Sequence, residues 1–370
     1  MAKQGIKKSG KTAATGAAGN EGMDWYTADS PGFELGGFHW REKGGIFRRL
    51  PDNDRKLAFS PDVRELSWHT SGGMLCFKSD AREIKVKATV YHASRMDHMT
   101  FDGSMGFDLY TGNGRMKVFA KNTRFGTVGD DYCCTLFQAA EKIMREFTIH
   151  FPLYSGVKKF EVGLSAGSKV KKPEPWDDPR PIVVYGTSIT QGGCASRPGM
   201  LPTNIMSRML NRPFINLGFS GSAKGEPEMA EIIAGIRNPA MFVLEYDDNA
   251  GPDRLEKTLE PFIRILRKKH SRTPILTISA PPKSAEAYAP ISSEFASRNR
   301  PELTRIHTQN LKKFRSEGDE NIYFLDGMRL YGVDFSECTV DGTHATDLGF
   351  HRMAHAAGPV IGSILSKWWS

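Results

Sequence analysis

At Pro181 the spacing of apolar residues changes, so the two halves of this chain must fold differently. From Asp24 to about Gly167 the apolar residues come in short segments separated by turn residues, at 33–35, 65–68, 74–77, 84–90, 106–110, 116–120, 147–151 and 158–164. The run Ile84-Lys85-Val86-Lys87-Ala88-Thr89-Val90 alternates strictly, as a strand with one buried face does. Strands at this spacing, with almost no helical period, predict an antiparallel β-sandwich of jelly-roll type over 24–167, whose topology periodicity leaves open. Residues 168–180 are rich in Lys, Pro and Asp, carry no apolar period and predict a linker. From 181 to 370, apolar runs at 182–185, 214–217, 241–246, 275–278 and 322–325 alternate with helical patterns over about 226–236, 253–270, 291–314 and 345–368. Repeated strand–helix units predict an α/β domain, a parallel sheet with helices on both faces.

Composition narrows the function classes. A length of 370 residues gives room for two domains with real cores. A hydrophobic content of 39% and a mean hydropathy of −0.41 suit a globular chain, and no run approaches the ~20 apolar residues a membrane span needs. The net charge of +8 comes from 50 basic and 42 acidic residues that are scattered, without a basic stripe interleaved with aromatics, which argues against nucleic acid. Residues 1–23 are rich in Ala, Gly, Ser and Lys, lack an apolar core and read as a disordered leader, not a signal peptide. As written this predicts a cytoplasmic protein, or a periplasmic or secreted one where a native signal peptide has been removed. Cys76, Cys133, Cys134, Cys194 and Cys338 are odd in number and have no metal-ligand spacing, which argues against a disulfide framework and a zinc site. The glycines after the first α/β strand do not form Gly-x-Gly-x-x-Gly, which disfavours a dinucleotide-binding dehydrogenase.

Ligands bind at the C-terminal ends of parallel strands, so the strand exits are the places to look for chemistry. After 182–185 comes Gly186-Thr187-Ser188, where a strand-to-helix turn would lift the Ser188 hydroxyl to the rim of the sheet. The second exit reads Asn216-Leu217-Gly218-Phe219-Ser220-Gly221, the third Glu245-Tyr246-Asp247-Asp248-Asn249, and the last loop Asp341-Gly342-Thr343-His344. Taken singly, each has a plainer reading: Ser188 or Asp341 as a helix cap, Gly221 or Asn249 in a turn, His344 as a surface residue. Together they offer a nucleophile, a base, an orienting carboxylate and separate oxyanion donors at one edge of one sheet.

These blocks resemble the SGNH (GDSL-type) hydrolase superfamily over about 181–365. Gly186-Thr187-Ser188 stands for the Gly-Asp-Ser block, Gly221 for the block glycine, and Asp341-Gly342-Thr343-His344 matches Asp-x-x-His. In the first half, Gly106-Phe107-Asp108-Leu109-Tyr110 resembles the Gly-x-Asp-Leu-Tyr signature of the β-domain preceding a subgroup of these esterases. The resemblance implies a three-layer, flavodoxin-like α/β/α hydrolase domain. It further implies a serine esterase with Ser188, His344 and Asp341 as triad and the Ser188 and Gly221 N–H groups with the Asn249 amide as oxyanion hole. Thr187 departs from the family's acid, and Asp247-Asp248-Asn249 from its Gly-x-Asn. Short acyl groups, especially acetyl on carbohydrates, are the implied substrates. The alternatives are a lipase or lysophospholipase type, another small-ester hydrolase, or a noncatalytic carbohydrate-binding protein on the same scaffold. Such a mechanism needs no metal and no organic cofactor. Arg197, Tyr110 and Trp68 are the expected substrate-binding side chains, and Trp40 is a further aromatic for sugar stacking or, alternatively, core packing.

Overall fold

The structure is a computed structural model and describes residues 22–52, 59–124, 129–288 and 300–367. The leader expected over 1–23 lies outside these residues apart from Gly22 and Met23, as do 291–299 of the helix expected over 291–314, and Trp368.

The first half contains β1 (Met23–Thr27), β2 (Glu34–Gly36), the helix α1 (Pro61–Leu66), β3 (Met74–Ser79) and β4 (Glu83–Tyr91). It continues with the short helix α2 (Phe101–Met105), β5 (Asp108–Thr111), β6 (Val118–Asn122), β7 (Asp131–Gln138), β8 (Arg145–His150), β9 (Gly156–Ser165) and β10 (Val170–Lys171). All pairings are antiparallel. They form two sheets, β1-β9-β4-β7 and β10-β3-β8-β5-β6, with β2 beside β3. The alternation in β4 does what its period demands: Ile84, Val86, Ala88 and Val90 are buried while Lys87 is exposed. They share one core with Phe77, Leu109, Phe147, Phe151 and Phe160, each large side chain contributing about 1.5–3 kcal/mol of burial.

The segment 65–68, expected as a strand, belongs instead to the end of α1 and the residues after it. The Ser60 hydroxyl accepts the Val63 N–H and Pro61 sits in the first turn. A helix-start signal thus outweighed four residues of β-like composition. Val170 and Lys171, within the segment expected as linker, pair with Ser79 and Lys78 of β3.

The second half contains β11 (Ile182–Gly186), α3 (Ser188–Gln191), α4 (Pro202–Leu210), β12 (Phe214–Gly218), α5 (Pro227–Ala234) and β13 (Met241–Glu245). It closes with α6 (Asp247–Lys269), β14 (Ile275–Ile278), α7 (Arg300–Ser316), β15 (Ile322–Leu325) and α8 (Asp347–Ser366). The sheet is wholly parallel, in the order β12-β11-β13-β14-β15. Ile182 and Val184 of β11 enter the core beneath α4 and α8, whereas Val183 and Tyr185 enter the core beneath α5, α6 and α7. Both faces of β11 are therefore covered, which is why its sequence is a continuous apolar run. The strand order reverses between β11 and β13, and the crevice at their C-terminal ends is where such a sheet binds ligands. Among the described residues, no helix is long and apolar enough to cross a membrane.

Candidate active site

β11 ends on Gly186, and Thr187 caps the one-turn helix α3. The Thr187 hydroxyl accepts the Ile189 N–H at 3.2 Å, so Ser188 becomes the first helical residue, whose own N–H has no acceptor within the helix. Ser188 is 8% exposed. The residue that meets it comes from 156 positions further along: His344 Nε2 lies 3.1 Å from Ser188 Oγ. His344 sits in a tight turn closed by the bridge between Thr339 and Ala345 and by the Val340 N–H on the His344 carbonyl. Asp341 Oδ1 accepts the backbone N–H groups of Thr343 and His344 at 2.9 and 2.7 Å, while Oδ2 is 2.7 Å from His344 Nδ1. Burial alone would raise the Asp341 carboxyl. Hydrogen bonds from the His344 ring and from the His344 and Thr343 backbone outweigh it and hold the group below the usual carboxylate range. An ionised Asp341 keeps the proton on Nδ1 and turns the Nε2 lone pair to Ser188.

The two expected oxyanion donors outside Ser188 stand on adjoining segments. Gly221 is exposed, on the loop after β12, with φ +66°, a conformation a side chain would strain. That loop is fixed by the Phe219 N–H on the Gly186 carbonyl and by the Ser220 N–H on Gln191 Oε1 at 3.0 Å. Asn249 lies in the single turn after β13, cut off from the long part of α6 at Gly251, and its amide donates to the Phe219 carbonyl at 3.3 Å. A side-chain amide has two N–H bonds, so one remains for an oxyanion. The acidic neighbours face other partners: Asp248 pairs with Lys283 at 2.7 Å, and buried Asp247 accepts the Ala280 N–H and meets His307. The structure thus brings Ser188, His344 and Asp341 into direct contact and ties Asn249 to the Gly221 loop through Phe219.

Beneath α3 lies Glu245, fully buried at the end of β13, accepting from Thr190 at 2.6 Å and from Thr187. Burial pushes its carboxyl up to about 8, the Thr190 hydrogen bond works against this, and Asp247 and Asp248 add to it. Cys194 is also close by. Burial, then the Asp341 charge, pushes its thiol up to about 12, so it is no rival nucleophile at neutral pH.

The first domain grips the segment that carries Ser188. Gln191 Nε2 meets His69 Nδ1 at 3.1 Å and donates to the Leu153 carbonyl, and the Ser71 hydroxyl donates to the Gln191 carbonyl. Buried Arg49 donates to the carbonyls of Leu66, His69 and Gly218, the last in the other domain. Asp108, of the Gly-x-Asp-Leu-Tyr stretch, is fully buried and accepts from Arg197 Nη1 at 2.8 Å, from the Gly199 N–H at 2.7 Å and from His150 Nδ1 at 2.8 Å. A Cβ on Gly199 would fall 2.4 Å from the Tyr110 ring and 2.5 Å from Asp108 Oδ2, so only glycine lets this backbone seat itself.

The side chains expected to bind substrate each have partners within the protein. Arg197 spends its guanidinium on Asp108 and the Tyr110 hydroxyl, and Tyr110 is 4% exposed. Both are parts of a domain clamp. Trp68 lies against the Arg48 guanidinium and Tyr91 within the first domain, and Trp40 packs on a core of the second. Sequence reading did not assign roles to Gln191, His69 or Arg49. Gln191 was visible beside Ser188, but its partners come from a domain whose topology periodicity had left open.

Comparison with known proteins bears on both halves of the chain. Residues 179–362 match the GDSL-like Lipase/Acylhydrolase family, and 9–170 match the N-terminus of the SGNH-hydrolase-type esterases that carries the GxDLY motif. A solved structure from Bacteroides ovatus assigned as a GDSL-like lipase is 30% identical over 93% of this chain and 98% of its own, with a TM-score of 0.82. The chain belongs to the GDSL-like lipase/acylhydrolase family. Two further structures share the fold of this SGNH-type hydrolase. A salicylyl-acyltransferase from a tetracycline biosynthetic pathway has TM-score 0.73 at 18% identity, over 91% of this chain and 96% of its own. An acetyl xylan esterase from Butyrivibrio proteoclasticus has TM-score 0.59 at 11% identity, over 93% and 99%. No curated protein matches the chain in sequence.

Proposed function

We propose that this hydrolase is a serine esterase that removes short acyl groups, acetyl above all, from carbohydrate esters. The observation that carries this is the unbroken contact from Asp341 Oδ2 through His344 to Ser188 Oγ, at 2.7 and 3.1 Å. Ser188 Oγ attacks the ester carbonyl as its proton passes to His344 Nε2. The tetrahedral oxyanion is held by the Ser188 and Gly221 N–H groups and the Asn249 amide. Collapse breaks the bond to the sugar oxygen, which takes the proton from His344 and leaves as a hydroxyl, and an acyl-enzyme remains. Water, deprotonated by the same imidazole, releases the acid and restores Ser188. The preference for acetylated carbohydrate is supported by the family resemblance and by the acetyl xylan esterase, which shares both halves of the architecture.

The fold shared with an acyltransferase favours a second reading, in which an alcohol rather than water takes the acyl group. Both are tested with a panel of acetylated mono- and oligosaccharides and p-nitrophenyl esters of increasing chain length, with and without added alcohols, against the Ser188→Ala chain. The proposal expects the highest kcat/KM on acetyl sugars and none in the variant. A preference for long acyl chains would replace it by a lipase reading, and faster turnover with ester formation in the presence of alcohols by the transferase reading.

A further inference from the structure

We propose that His98, Cys194 and His344 form a site for a zinc-like divalent metal, and that its occupancy shuts off catalysis. The three residues are remote in sequence: His98 follows β4 in the first domain, Cys194 follows α3, and His344 precedes α8. Yet their ligand atoms all lie within 4.8 Å of one another, and the two imidazole rings are 5.7 Å apart, tilted by 60°. Zinc binds thiolate sulfur at about 2.3 Å and imidazole nitrogen at about 2.0–2.1 Å in a tetrahedron, which sets neighbouring ligand atoms about 3.5 Å apart. Closing the present gaps takes shifts of about 1 Å, through small side-chain rotations of the partly exposed His98 and of Cys194 and His344.

Two features beyond proximity fit a metal. Each histidine has Nδ1 against a carboxylate, His98 against Asp97 at 3.2 Å and His344 against Asp341 at 2.7 Å. This is the outer support that orients a ligating imidazole, and it points to Nε2 as the metal-binding atom, in His344 at the expense of its contact with Ser188 Oγ. In addition, the Asp341 carboxylate lies 4.0 Å from His98 Nε2. With the thiolate formed on binding it balances a dication, the thiol proton passing to solvent. Two imidazoles and one sulfur select zinc, cobalt or copper over magnesium and calcium. Inhibition follows from the triad. Both ring nitrogens of His344 are already committed, one to Asp341 and one to Ser188, so a metal on either displaces a catalytic contact. The binding site stands on geometry alone, whereas its effect on rate rests on the esterase reading.

The test uses the full chain freed of metal by a chelator. Cobalt titrated into the Ser188→Ala chain is expected to give a sulfur-to-cobalt charge-transfer absorption that disappears when Cys194→Ser is added. Absence of that band in the Ser188→Ala chain overturns the site, whatever the enzyme hydrolyses. Zinc at buffered free concentration is expected to inhibit hydrolysis of p-nitrophenyl acetate reversibly. Cys194→Ser and His98→Ala should each raise the half-inhibiting concentration by about 10- to 100-fold, measured against each variant's own metal-free rate. Cys133→Ser, which changes an exposed thiol, should leave the zinc response as it is. Equal inhibition of all these chains overturns the proposal, and so does loss of the response in Cys133→Ser alone. A cobalt band without inhibition would overturn the competition with His344.

Discussion

Replacing Asp108 tests whether the first domain is a working part of the hydrolase. Two of the three hydrogen bonds to this buried carboxylate end on Oδ2, from Arg197 and the Gly199 N–H, and the third, from His150, ends on Oδ1. Asp108→Asn can keep its carbonyl oxygen at the Oδ2 position, so Arg197 and the Gly199 N–H lose the charge but keep their acceptor, while the amide N–H replaces the Oδ1 acceptor and His150 must meet it through an unprotonated Nδ1. With charged hydrogen bonds worth about 1.5–3 kcal/mol and neutral ones about 0.5–1.5, two weakened bonds cost about 2 kcal/mol. Asp108→Ala leaves a largely buried guanidinium without its counter-ion and two further donors unpaired, and should cost about 3–5 kcal/mol. The assay is urea unfolding of the full chain, followed by a probe in each domain because two domains need not unfold together, with Arg197→Ala made in both backgrounds. Asp108→Ala should cost more than Asp108→Asn, and Arg197→Ala should cost far less once Asp108 is gone. A cost below about 1 kcal/mol for Asp108→Ala, with no coupling to Arg197, would refute the clamp.

Other outcomes follow from the same geometry. On the proposed mechanism the Asn249 amide serves the oxyanion more than the ground state, so Asn249→Ala should lower kcat by about 10²–10³ with little change in KM. An unchanged kcat would give the role to another donor. Glu245 concerns stability: its carboxyl titrates at about 8 in the folded chain against 4.5 when exposed. Between those values the folded state binds more protons than the unfolded one, so stability falls as pH rises through this window and levels off above it. Relative to Glu245→Gln, the wild type should lose on the order of a few kcal/mol across about pH 5 to 8. Parallel stability curves in chemical denaturation would show that Glu245 is ionised throughout.

The division into a β-sandwich and an α/β domain was legible because both patterns are long. Four fully buried parallel strands and the half-buried β15 leave five apolar runs, and β4 alternates over its whole length. Three strands were missed: the two-residue β10 at one edge of its sheet, too short to carry a period, and β1 and β7, the two edges of the other sheet. β1 buries none of its residues fully and β7 only Leu136, so their periodic signal is thin. At the site, Ser188, Asp341 and His344 were readable because each stands at a strand exit or in a short block beside a helix. The surroundings of Arg197 and Tyr110 were not legible for a related reason: a charged and an aromatic side chain near Ser188 resemble a substrate pocket. Whether they face substrate or the buried Asp108 depends on how two domains meet, and no local pattern encodes that. His98 is the same case in reverse, an unremarked loop histidine that folding carries to the triad.

The central claim is that Ser188 is a nucleophile driven by His344. It is tested most directly by reacting the protein with a fluorophosphonate and locating the adduct by mass spectrometry. The account predicts one phosphonyl group, on Ser188, formed in step with loss of esterase activity, with labelling slowed by orders of magnitude in His344→Ala. An adduct elsewhere, or equal labelling of Ser188 with and without the imidazole, would contradict it.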